Sequence, residues 1–195
     1  TYDQRIYAIG KGPSALTADA PMSGVKLGDL VIIRGTVTDI SPGTWDDAIY
    51  MRFPNGVAAV ADECQSEWMP YVYKQFTKPN NATGVPVTLS VIDANNNYRI
   101  IGTAISDATG FYTFNWEPDI EGQYTVYANF EGSEAYYGSM AATSFAVDAA
   151  PATPSPQPTQ EPSAADLYFI PAVIGIIIAI IIVGLVLALL IRKRE

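Results

Sequence analysis

The chain has 195 residues, with 20 acidic and 11 basic side chains, a net charge of −9, one cysteine and no histidine. Without histidine the usual nucleophile–base triads and the common zinc ligand sets cannot be assembled. A single cysteine excludes an internal disulfide, and the acidic balance disfavours nucleic acid as a partner.

The opening stretch TYDQRIYAIG alternates and is broken by Gly10, Gly12 and Pro13, the pattern of a short strand followed by a turn. A strand needs a partner, so residues 1–12 are expected to complete a sheet whose other strands lie upstream of Thr1. From there the chain alternates with turn signals every dozen or so residues, as an all-β sandwich does. In DLVIIRGTVTD, Val31, Ile33, Gly35 and Val37 fall on one face. In VPVTLSVID, Val85, Val87, Leu89 and Val91 point inward, and Pro86, which lacks a donor, marks an edge or a strand start. DANNN at 93–97 closes a hairpin onto YRIIGTAIS. GFYTFNW then aligns Tyr112, Phe114 and Trp116; GQYTVYANF aligns Tyr124, Val126, Ala128 and Phe130; and ATSFAVD aligns Thr143, Phe145 and Val147. About seven strands result.

Residues 41–84 interrupt this pattern and are too long for an ordinary strand connection. They concentrate Trp45, Tyr50, Phe53, Trp68, Tyr71, Tyr73 and Phe76. Inside them, DECQSEWMPYVYKQ reads as a short helix with Asp62 at its N-cap, Pro70 at a kink, and Trp68 and Val72 on one face. Two roles follow for the rings: an aromatic docking surface centred on Trp45, Trp68, Tyr71 and Tyr73, or a lid packed over one sheet. An exposed Trp45 or Trp68 favours docking, and buried rings favour a spacer.

Other motifs carry less. The oxygens of Asp93, Asn95 and Asn97 begin like a calcium loop, but Tyr98 stands where that loop needs glycine and Ala104 where it needs glutamate. Asn81-Ala82-Thr83 is an N-glycosylation acceptor. The acidic pairs Asp46–Asp47 and Glu117/Asp119 sit in turns, where carboxylates are ordinary, and no phosphate loop is present. No catalytic residue, cofactor site or metal site is assigned, and the chain is read as non-enzymatic.

Residues 149–166, AAPATPSPQPTQEPSAAD, form a Pro/Ser/Thr-rich stalk with no periodic apolar face, expected to be disordered and extended. Residues 167–191 carry no charge over about 25 positions, enough to cross the ~30 Å hydrocarbon core. Tyr168 and Phe169 suit the outer interface. Arg192, Lys193 and Arg194 follow the apolar run in the tail 192–195, and no basic residue lies between Arg99 and the helix. The positive-inside tendency then places the C-terminus in the cytoplasm and the N-terminal domain outside, in a single-pass cell-membrane protein.

PDIEGQYTVYANFEGSEAYYGS resembles the late strands of bacterial and archaeal Ig-like domains, with Gly122-x-Tyr124 matching a tyrosine corner. Val126 and an aliphatic on an early strand take the place of the missing disulfide. YDQRIYAIG resembles the last strand of a PQQ-like β-propeller blade, with Asp3 ahead of Ile6-Tyr7-Ala8-Ile9. Together with VIIRGTVTDISPGT, SEWMPYVYKQ and NATGVPVTLSVID, the chain resembles the C-terminal region of archaeal cell-surface PQQ-like repeat proteins. That resemblance implies an extracellular propeller, an Ig-like domain, a stalk and an anchor; no propeller ligand can be carried to a residue here.

The reading is therefore an all-β chain: residues 1–12 ending a propeller blade, an Ig-like β-sandwich over 13–148 with the 41–84 insertion, the stalk, the transmembrane helix and the tail. Its function is to space and attach an upstream propeller at the cell surface. Its partners are the lipid bilayer and a surface-layer or other cell-surface protein or glycan. The rival readings are an adhesin or glycan-binding module using the insertion, and the anchor of a quinoprotein-like oxidoreductase acting upstream.

Overall fold

The computed structural model describes residues 6, 10–22, 24–150 and 163–193. The chain divides into two units, Thr1–Pro151 and Ala152–Glu195. The first consists mainly of two sheets, with short helices between residues 42 and 74. The stalk lies mostly outside the described residues, as do Arg194 and all of the opening strand except Ile6 and Gly10 to Gly12.

The first sheet centres on β3 (Val31–Asp39). On one edge β3 pairs antiparallel with β1 (Ser14–Leu16); on the other it pairs with β7 (Phe111–Trp116) and then, at Thr38 and Asp39, with β4 (Val57–Ala58). The second sheet has the order β2 (Val25–Lys26), β9 (Tyr137–Asp148), β8 (Gly122–Gly132), β5 (Pro86–Ile92), β6 (Tyr98–Ile105). All its pairings are antiparallel except β2 with β9. The short strands β1, β2 and β4 escape the alternation rule because two or three residues carry no readable period.

The inward rows are those the alternation assigns. Val31, Ile33 and Val37 from one sheet meet Val85, Val87, Leu89, Val91, Val126, Ala128 and Phe130 from the other in a single buried cluster. Apolar area removed from water at about 25 cal/mol per Å² is the main stabilising term. Gly35 is in the inward row because nothing larger fits: a Cβ there would lie 1.9 Å from the Thr17 carbonyl oxygen and 2.7 Å from the Tyr112 hydroxyl. That hydroxyl donates to Thr17 O at 2.7 Å, and burial pushes its pKa up to about 12. Pro86 opens β5 opposite Ile105, ahead of the first β8 partner at Thr88, so the missing donor falls at a strand start.

Turns follow their side chains. The Asp93 carboxylate accepts from the amides of Asn95 and Asn97 at 2.9 Å each and from Asn97 Nδ2 at 3.2 Å, while Asn96 takes a φ of 65°. The oxygens that mimic a calcium loop are thus spent on a hairpin. At the start of β8 the Tyr124 hydroxyl lies 3.2 Å from the Ile120 carbonyl and accepts from the Ile120 amide at 3.2 Å. This is the back-bonding of a tyrosine corner. Tyr124 also stacks on Phe145 and meets Trp116 edge-on. Arg99 grips Asp119 through both guanidinium nitrogens, with its charge 5.8 Å from the Trp116 ring, and holds the Asp119 carboxyl far below the ordinary carboxylate range.

The sequence pattern sets residues 1–12 apart from the 13–148 unit. Gly12, however, donates to Ala135 O and accepts from the Tyr137 amide, both at 2.8 Å, so the folded unit already includes it.

The second unit contains one helix, α3 (Ala164–Arg192), three residues longer at its start than the apolar run. Leu167–Arg192 is 26 residues of apolar helix with none of its surface buried, long enough to cross a membrane. At 1.5 Å per residue it extends about 39 Å. Tyr168 and Phe169 are exposed near its first turns, and Arg192 closes the last.

Candidate functional site

The region that departs from sheet structure is the 41–84 insertion. Pro42–Trp45 forms a 3-10 turn, α1 covers Asp47–Arg52, a second 3-10 turn covers Asp62–Cys64, and α2 covers Gln65–Lys74. The Asp46 carboxylate caps α1 by accepting from the Ala48 amide at 3.0 Å. Pro70 sits within α2 without ending it. Its carbonyl accepts from the Gln75 and Phe76 amides, and Gln75 closes the helix in the left-handed conformation.

These elements build a core of their own. Ile49, Val57, Ala58, Val60, Trp68 and Val72 are buried together, with Phe53, Met69, Tyr71 and Tyr73 packed against them. Trp68 and Val72 share the inner face, as their spacing requires. Trp68 is 1% exposed and presents no ring to solvent; Tyr71, tilted against it at 5.2 Å between centroids, and Tyr73 are half-buried. Burial pushes the Tyr73 phenol up to about 12, with Asp39 adding to it. Of the four rings singled out from sequence, only Trp45, 71% exposed, offers an open face. Packing as a lid is thus the arrangement of Trp68, and a free surface that of Trp45.

Asp62 does not cap α2. The residue before that helix is Cys64, with no capping side-chain bond. Asp62 instead reaches across to the β8–β9 turn, where its Oδ1 accepts from Ser133 Oγ at 2.7 Å and the Ala135 amide at 3.0 Å, and its Oδ2 from the Glu134 amide at 2.9 Å. Burial pushes this carboxyl up, but the three bonds, with Lys11 nearby, outweigh it and leave it below its ordinary value. Partners some 70 residues away leave no local mark in sequence. Cys64 is a free thiol whose Sγ lies 3.7 Å from both the Asn81 carbonyl and Thr83 Oγ1. Asn81 itself is exposed.

Sequence reasoning passed over Arg52. Its Nη1 donates to Val72 O at 2.8 Å and its Nη2 to Tyr71 O at 2.9 Å, covering carbonyls of the last turn of α2. Its guanidinium lies 5.1 Å from the Phe53 ring centre and 5.3 Å from that of Tyr71. It opens onto a cleft of about 220 Å³ between the insertion and the β6–β7 turn. Lys78, Asn55 and Thr109 complete the polar part of the wall, and Phe53, Trp68 and Tyr71 the aromatic part. Trp68 Nε1 is buried without a hydrogen-bond partner. The only signal for this site in sequence was an arginine within a run of aromatics, and its two carbonyl partners become visible only once α2 folds back on α1. Among the described residues no group of His, Cys, Asp and Glu is arranged to hold a metal ion.

Compared with known protein families and with curated proteins, the chain matches none.

Proposed function

We propose that this chain is a non-catalytic, membrane-anchored module that holds an extracellular domain at a set distance from the cell surface. The observation that carries the reading is the 26-residue apolar helix with no buried surface, in a unit separate from a β-rich unit with its own core. The tyrosine-corner bonding of Tyr124 supports an Ig-like sandwich as the spacer, and the Pro/Ser/Thr-rich residues 149–166 serve as stalk. Arg192, Lys193 and Arg194 after the helix support a cytoplasmic C-terminus. The resemblance to archaeal PQQ-like repeat proteins supports a propeller as the domain held.

Protease added to sealed, right-side-out cells tests the topology: removal of the N-terminal unit is expected, and protection of an N-terminal tag overturns the reading. The exposed Asn81 gives an independent check. A glycosidase-sensitive mass on the wild-type chain, absent from Asn81→Gln, places the insertion outside.

A further inference from the structure

We propose that the Arg52 cleft binds one carboxylated sugar ring, a hexuronate unit of an acidic glycan. The argument begins with charge. Residues 1–166 carry a large acidic excess, yet the cleft is lined by Arg52 and Lys78 and by no carboxylate. Neither cation has an ion-pair partner among the described residues. Two acidic residues adjoin lining residues in sequence: Glu67, before Trp68, is exposed, and Asp107, before Ala108, is committed to its own turn, its Oδ1 accepting from the Thr109 amide at 2.7 Å, Thr109 Oγ1 at 2.6 Å and the Phe111 amide at 3.1 Å. A local positive site in an acidic domain selects an anion.

The kind of anion follows from the donors. Two of the five N–H groups of Arg52 are given to the Tyr71 and Val72 carbonyls, which fix the guanidinium plane and partly offset its charge. What remains, with the exposed Lys78 ammonium, suits a singly charged planar carboxylate. The cleft is smaller than the ~300–1,000 Å³ of sites for drug-sized ligands, so it takes one small ring. Its walls pair the aromatic side chains of Phe53 and Tyr71, an apolar surface for the C–H groups of a sugar, with Asn55 and Thr109, uncharged partners for hydroxyls. Because Arg52 is held by backbone carbonyls and flanked by two rings, it is preorganised and loses little freedom on binding.

The test uses the full-length chain in detergent micelles with free glucuronate as probe, and glucose, acetate and N-acetylalanine as controls, read by ligand-observed saturation-transfer NMR. Glucuronate is expected to bind at least tenfold more tightly than any control, and to weaken as salt is raised. Lys78→Gln, an exposed change, is expected to weaken it about fivefold. Arg52→Lys is expected to weaken it at least tenfold with α2 still folded by circular dichroism. Absence of transfer to glucuronate, equal binding of glucose, or no effect of Lys78→Gln overturns the proposal. Equal binding of N-acetylalanine also overturns it, assigning the cleft to peptide carboxylates.

Discussion

The two cores of the N-terminal unit are held in different ways. The inter-sheet core is fed by long strands whose ladders satisfy their own backbone, so its side chains are free to be purely apolar: Val31, Ile33, Leu89, Val126 and Phe130 are all buried, in rows of alternate residues. The insertion core has six buried residues and short helices, and side chains must do what ladders do elsewhere. Arg52 covers carbonyls of α2, Gln65 Nε2 donates to Val60 O at 3.1 Å, and Asp62 holds the β8–β9 turn. The difference teaches that a small core on short elements is tied to its scaffold by polar clamps. Such clamps are sensitive to pH and to single substitutions, whereas the sheet core answers mainly to volume.

The largest expected effect lies in the sheet core. Phe130→Ala should cost about 3–5 kcal/mol by denaturant titration of the full chain, because the ring is fully enclosed and the strands around it cannot collapse into the void. A cost below about 1 kcal/mol would mean that the two sheets are not tightly packed at that level.

Val72→Ala in the insertion should cost about 2 kcal/mol, from two lost methyl groups and the cavity they leave. Hydrogen exchange should show the loss confined to residues 42–83. Equal deprotection of β5 and β8 would make the two cores one cooperative unit and break the comparison.

Asp62→Ala should cost about 1–2 kcal/mol by removing hydrogen bonds to a charged acceptor. The pH dependence runs the same way. Asp62, Asp93, Asp107 and Asp119 all have folded carboxyl pKa values below their ordinary ones. Their contribution is therefore complete above the unfolded value of about 4 and is lost as pH falls through the folded values beneath it. Thermal midpoints should be flat from neutral pH to about 5 and fall below 4. Asp62→Ala should flatten part of that fall; a midpoint that rises on acidification would contradict the assignment.

The smallest effect is none. Cys64 is a free thiol, so reductant should leave the thermal midpoint unchanged; a large drop would reveal an intermolecular bridge.

The rows of the sheet core were legible because a strand has a side-chain period of two, and a sequence burying one face must write that period out. The apolar helix was legible for a similar reason: crossing hydrocarbon requires an uninterrupted apolar run, whatever the fold around it. The DANNN turn and the Tyr124 corner were legible because their partners lie within five residues.

What only tertiary structure decided shares the opposite property. Asp62 bonds to residues 133–135, Arg52 to carbonyls some 20 residues away, Gly12 to the start of β9, and Trp68 turns inward while Trp45 turns outward. Sequence lists the rings and charges of the insertion but contains no period that says which side faces in, because its helices are too short for an amphipathic pattern to be distinct from chance. Burial there is decided by which neighbours the sheets bring within reach, and that is a property of three dimensions alone.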